Sequence, residues 1–97
     1  MSNVILINPF EVPPNVADEQ FLAGWERAAE LLRGRPGFVG TRLHRAMSPD
    51  ARFRFVNVAE WESQRQFTDA VADDAFRRLA QNAPPNHPAL YEIARAI

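Results

Sequence analysis

The hydrophobic and polar positions of this chain switch between a period of two and a period of 3.6. The first period is clearest over residues 52–63, RFRFVNVAEWES. Strict alternation there puts Phe53, Phe55, Asn57, Ala59 and Trp61 on one face and Arg54, Val56, Val58 and Glu60 on the other. Both faces are largely apolar, so the stretch predicts a strand in the middle of a sheet. Asn57 interrupts its face, and an amide left unpaired there costs about 1–3 kcal/mol, so either the protein or a ligand must bond it. Residues 4–10 form a second apolar strand in which Val4, Leu6, Asn8 and Phe10 lie opposite Ile5, Ile7 and Pro9, closed by Pro13-Pro14. A second amide thus interrupts a second buried strand.

The longer period takes over after Asn15, a predicted N-cap followed by Asp18 and Glu19 at the positive end of the helix dipole. Phe21, Leu22, Trp25, Ala28, Ala29 and Leu32 then recur at helical spacing, which predicts an amphipathic helix over residues 16–33. Gly34 and Arg35-Pro36-Gly37 end it. Residues 38–47 alternate again, with Phe38, Gly40, Arg42, His44 and Ala46 opposite Val39, Thr41, Leu43, Arg45 and Met47. The Ser48-Pro49-Asp50 turn joins this strand to the next as a hairpin. Ser63 and Gln66 have capping-box spacing and open a helix with Phe67, Ala70 and Val71 inward. Asp73 or Asp74 recaps a continuation carrying Phe76, Leu79 and Ala80, and Pro84-Pro85 breaks it. Residues 89–97, with Leu90, Tyr91, Ile93 and Ile97, complete the pattern as a last strand.

Strand, helix, strand, strand, helix, strand is the order of a ferredoxin-like α+β fold, βαββαβ, with a four-stranded antiparallel sheet and both helices on one face. Its first and third strands are central neighbours, which lets Asn8 and Asn57 approach one cleft. The other sheet face has no helix, and Ile5, Ile7, Val56 and Val58 would lie on it, so the pattern predicts a homodimer packed sheet to sheet.

Length and charge narrow the function classes. Ninety-seven residues suffice for a single domain, 1–97. The formal net charge is −1 and the only local basic cluster is Arg42, Arg45, Arg52 and Arg54, so nucleic acid is a poor partner. Cysteine is absent, which removes disulfides and thiolate chemistry. The two histidines are far apart, no metal-ligand set is visible, and the four glycines form no phosphate loop. The N-terminal apolar run is too short for a membrane span and lacks the features of a signal peptide, so cytoplasm is the expected location.

The run PGFVGTRLHRAMSPDARFRFVNVAEWESQRQF, with VILINPFEVPP before it and HPALYEIAR after it, resembles the antibiotic biosynthesis monooxygenase (ABM) domain of the dimeric α/β-barrel superfamily. The likeness covers nearly the whole chain. It rests on the PGF turn entering the second strand, on the third strand ending in Trp then Ser and a helix, and on the spacing from there to Phe67. The resemblance implies oxygenation of a polycyclic, anthrone-like phenol to a quinone with O2 and without cofactor. Asn57 and Trp61 match the Asn-x-x-x-Trp of such members, Asn8 fills the place of an amide near the end of the first strand, and Phe67 stands where some members use Tyr. A haem-degrading branch is similar in Asn8 and Trp61, yet Ala80 stands near the position of its haem-ligating His.

The chemistry asks for a flat apolar cleft that favours a phenol's anion and excludes water. Asn8 and Asn57 are expected to donate amide hydrogen bonds to a developing phenolate or peroxide oxygen, with Trp61 as wall and N–H donor. His44 is the candidate base and shares its predicted face with Arg42; Arg42, Phe55, Phe67, His87 and Tyr91 are candidate substrate contacts. Two other readings remain open: an ABM-like domain that binds a small ligand or assists a pathway enzyme without catalysis, and a haem-binding monooxygenase.

Overall fold

The computed structural model describes residues 3–97. Its elements are β1 (Val4–Phe10), α1 (Asp18–Arg33), β2 (Phe38–Arg45), β3 (Phe55–Trp61), α2 (Gln64–Val71), α3 (Asp74–Ala80) and β4 (Ala89–Tyr91). The strands form one antiparallel sheet in the order β2-β3-β1-β4, the ferredoxin-like arrangement, with β1 and β3 at its centre. In the β1–β3 register Asn8 lies directly opposite Asn57, Phe10 opposite Phe55, Leu6 opposite Ala59 and Val4 opposite Trp61. Directly opposed residues point to the same side, so all eight share the helix-covered face.

Helix ends follow side-chain chemistry with one exception. Ser63 caps α2 by accepting from the Gln66 backbone N–H, and Asp73 caps α3 by accepting from that of Ala75. Asp73 also holds Arg35 at 3.0 Å, tying the α1–β2 turn to α3. In that turn Gly37 has φ +86°, and a Cβ there would lie 2.5 Å from the Gln66 side chain, so β2 can begin this close to α2 only with glycine. The exception is α1, where the expected Asn15 cap is replaced by Ala17 with no side-chain bond. Arg54 does the anchoring instead: it donates to the carbonyls of Pro13 and Val16 at 2.8 Å each and pairs with Asp18 at 3.0 Å. Backbone carbonyls of the preceding loop, held by Arg54 just before β3, set the entry angle of the helix.

Two strands depart from the alternation read in the sequence. β2 has a bulge: Phe38 opposes Trp61 and Gly40 opposes Glu60, so Val39 is an extra residue. Beyond it every side chain is on the other face from the one strict alternation gives. Thr41, Leu43 and Arg45 oppose Ala59, Asn57 and Phe55, whereas Arg42 and His44 oppose Val58 and Val56 on the face without helices. β4 spans three residues instead of the expected 89–97. Tyr91 already pairs with Ile5, one residue from the start of β1, so the strand runs out of partner backbone and residues 92–97 lie exposed.

Buried residues on the helix-covered face form two clusters. Phe10, Phe21 and Phe55 make one, flanked by Trp25 and Leu43; Leu6, Ala59, Trp61 and Ala70 make the other, flanked by Phe38 and Phe67. The Asn8–Asn57 pair lies between them along the sheet. On the uncovered face Ile5, Ile7, Val56 and Val58 are only half-buried.

Candidate active site

Between the sheet and the helices lies a cavity of about 690 Å³. Leu6, Asn8, Asn57, Ala59 and Trp61 form its strand side, and Trp25, Ala29, Phe67 and Phe76 are among the helix residues above them. The volume is in the range that holds drug-sized ligands, and an apolar lining with few polar groups is how such sites orient what they bind. No acidic or basic side chain among the described residues lines it.

The few polar groups are specifically arranged. Thr41, brought to this face by the bulge in β2, donates its hydroxyl to Asn57 Oδ1 at 2.6 Å. Asn57 Nδ2 has no partner among the described residues and is a free donor. Asn8 Nδ2 donates to Asn86 Oδ1 at 3.2 Å, and Asn86 Nδ2 donates to the Pro84 carbonyl at 2.9 Å. Asn86 is held there by backbone pairing of its loop with the end of β1: Glu11 N–H to the Pro85 carbonyl at 2.8 Å, and His87 N–H to the Pro9 carbonyl at 3.1 Å. Trp61 is fully buried, with Phe38 and Phe67 edge-on at 5.2 and 5.7 Å between ring centroids. Asn8 Oδ1 and Trp61 Nε1 are buried without a partner. Each such atom costs about 1–3 kcal/mol, and both belong to residues that line the cavity.

Of the residues singled out in the sequence, the structure brings Asn8, Asn57, Trp61 and Phe67 around this cavity. It leaves the other five outside. His44 and Arg42 are exposed on the uncovered face, turned there by the Val39 bulge, so no base reaches the cavity from β2. His87 is half-exposed and pairs with Glu11 at 2.5 Å, its ring edge-on to Phe53. Phe55 is stacked on Phe21 at 4.6 Å and belongs to the packed core. Tyr91 is 51% exposed and opposes Ile5 on the uncovered face. The Asn8 NH2 gives one of its two N–H groups to Asn86, and Oδ1 is the atom of its side chain left without a partner. Thr41 and Asn86 join the site without having been singled out by the sequence pattern. A polar residue near Asn57 in the hairpin and an Asn inside PPNHP are the available signals, but the first depends on a register visible only after pairing.

Ala80 lines the cavity, and no His, Cys, Met or Tyr among the described residues does, so its walls offer no side chain of the kinds that ligate haem iron. Among the described residues no helix is long and apolar enough to cross a membrane.

Comparison with known proteins places this geometry in a family. A family model described as antibiotic biosynthesis monooxygenase matches residues 3–82. A candidate monooxygenase from Shewanella loihica PV-4 is 32% identical, with a TM-score of 0.86 and coverage of 98% of this chain and 97% of that one. SnoaB, a cofactor-independent oxygenase from Streptomyces nogalater, is 25% identical with a TM-score of 0.84, covering 100% of this chain and 98% of its own. A protein from Mesorhizobium loti with a ferredoxin-like fold, 12% identical with a TM-score of 0.75 and coverage of 96% and 98%, shares the fold alone. A search of curated proteins finds no match. The family and SnoaB support a monooxygenase-type function, and with a family model matched over most of its length the chain belongs to the antibiotic biosynthesis monooxygenase family.

Proposed function

We propose that this protein is a cofactor-independent monooxygenase that oxidises a polycyclic, anthrone-like phenol to the quinone with O2. The observation that carries the reading is the cavity itself: about 690 Å³, apolar, and furnished with unpartnered polar atoms on Asn8 and Trp61 and a free donor on Asn57. For an anthrone the balance needs no other reactant: the ring CH2 becomes C=O with one atom of O2, and the other atom leaves as water with the two hydrogens. The phenolic tautomer loses a proton, the anion gives electrons to O2, and the free donor of Asn57 stabilises the negative charge as it forms. Because no titratable side chain lines the cavity, the proton goes to solvent at its mouth, or the substrate enters already ionised. Likeness to SnoaB, itself described as cofactor-independent, supports the same reading.

The proposal extends to a homodimer through the uncovered face, where Ile5, Ile7, Val56 and Val58 give each copy the same half-buried apolar patch. Light scattering at micromolar concentration tests it, a monomer being the contrary result. Oxygen uptake and quinone absorbance with an anthrone, using protein stripped of metal and flavin, test the activity. Turnover above the buffer rate supports the reading, and its absence with a folded protein removes it. The missing base favours a second reading, a domain that binds such a ring without transforming it; saturable binding without turnover would select it.

A further inference from the structure

The unpartnered polar atoms of the cavity wall differ in access. Asn8 Oδ1 and Trp61 Nε1 are closed off from open space. Asn57 Nδ2 is also unbonded among the described residues but is not closed off, so it opens onto the cavity that Asn57 lines. An amide has two ends of nearly equal shape, and an asparagine held by nothing presents either its oxygen or its NH2. For a forming negative charge the two ends are opposites, since NH2 stabilises the charge and oxygen repels it. Thr41 decides between them. Its hydroxyl has one proton and two acceptors nearby, Asn57 Oδ1 at 2.6 Å and the Val58 carbonyl at 3.4 Å. The shorter contact lies within the O–H···O range and below that of N–H···O, so the amide atom that faces Thr41 is oxygen.

The position of Thr41 comes from strand pairing. Leu43 lies directly opposite Asn57 and offers the amide nothing polar, while Thr41, opposite Ala59, is the diagonal neighbour on the same face. The extra residue Val39 is what turns it there. No ionised side chain among the described residues lines the cavity, so charge does not orient the amide. We propose that Thr41 is a positioning residue that holds Asn57 with its NH2 toward the cavity, so that the negative charge of an ionised substrate meets a donor already in place. Without that hydroxyl the amide has to turn as the charge forms, and the cost falls on the charged state and not on binding of the neutral ring. The inference rests on the cavity being the site for a polycyclic phenol, and it adds to that site a residue outside the Asn-x-x-x-Trp spacing.

The probe is β-hydroxyanthraquinone, a flat tricycle that keeps an ionisable phenol and no longer carries the oxidisable CH2, so its ionisation in the complex can be followed by absorbance without turnover. Relative to the wild type, Thr41→Val is expected to raise the apparent pKa of the bound ligand by about one unit, a tenfold loss of preference for the phenolate over the phenol. Binding of the neutral form, measured at low pH, should stay within about threefold. Thr41→Ser keeps the hydroxyl and should return the wild-type value. In an Asn57→Ala background Thr41→Val should shift nothing further, because the side chain it positions is gone. With an anthrone, Thr41→Val should lower kcat about tenfold and leave KM within about threefold. An unshifted ionisation in a folded Thr41→Val, a Thr41→Ser that does not restore it, or a full shift that persists in the Asn57→Ala background would each overturn the proposal. Should Thr41→Val not fold, Thr41→Cys, whose S–H is a weak donor, makes the same comparison. A protein that shows the expected shifts yet never oxidises an anthrone loses the oxygenase reading alone; one that turns over without dependence on Thr41 loses only this inference. A wild type that does not bind the probe loses the reading of the cavity and this inference together.

Discussion

Phe55 and Trp61 stand at opposite ends of one face of β3 and are equally hidden, at 1% and 0% exposure, yet their surroundings differ in kind. Phe55 stacks on Phe21 at 4.6 Å with 18° between the rings, and Phe10 meets Phe21 edge-on, so this end is filled by hydrocarbon that needs nothing further. Trp61 is enclosed by Phe38 and Phe67 but carries an N–H with nothing to donate to, whereas Phe10 and Phe21 line the same cavity with hydrocarbon alone. Depth of burial does not separate the two ends. Polar accounting does, because a packed core removes orphan donors and a binding site keeps them for a ligand.

The largest effect should come from breaking the filled end. Phe55→Ala removes a ring from a closely packed cluster and should cost about 3–5 kcal/mol of stability, measured by urea unfolding, a large share of what a domain this small has. If the loss were under about 1 kcal/mol on the same measurement, the two ends would not differ as described.

Asn57→Ala is next, and it should act on rate and not on folding. Loss of a preorganised donor to developing charge costs about 10²–10³ in kcat at comparable sites, with a much smaller change in substrate affinity. Stability should change little, since the hydroxyl of Thr41 retains the Val58 carbonyl as an acceptor. Steady-state kinetics with an anthrone checks this, and full kcat in a folded variant would return Asn57 to the role of a satisfied core amide. Trp61→Phe should be milder. It loses indole area but also deletes a buried unpaired donor that costs about 1–3 kcal/mol, so unfolding should show a net change well below that of Phe55→Ala. Ligand affinity should fall about threefold to tenfold, the worth of one neutral hydrogen bond.

The contrast between the ends is legible in outline in the amino-acid sequence. Period-two alternation places Phe55, Asn57 and Trp61 on one face, and Val4 to Phe10 supply the neighbours that the register then sets against them. Ser63 with Gln66, and Asp73, announce their helices because a cap is a local bond between residues close in sequence. What the pattern does not reveal is set by pairing at a distance. The extra residue Val39 reverses the faces of Thr41, Arg42 and His44, and nothing in FVGTRLHR states which residue of the partner strand each will meet. The same holds for Asn86, whose place beside Asn8 follows from backbone bonds between its loop and β1. The apolar pattern overextends β4 because the limit of that strand belongs to another, β1.

The smallest effect tests the other side of the sheet. In the sequence His44 is an attractive base, an imidazole that sits by alternation on the same strand face as Phe38. In the structure Phe38 remains at the Trp61 end while His44, past the bulge, is exposed opposite Val56, with the full thickness of the sheet between it and the cavity. A base must come within hydrogen-bond reach of the proton it takes, and a side chain on the opposite face of the strand cannot. His44→Ala should therefore leave kcat within about twofold and stability within about 0.5 kcal/mol, as for an exposed side chain away from special features. Its pH–rate profile should superimpose on that of the wild type. A loss confined to pH values below the phenol's own pKa, shrinking where solvent removes the proton unaided, would instead mean that His44 reaches a substrate, and the only geometry left for that is across a dimer interface on the uncovered face.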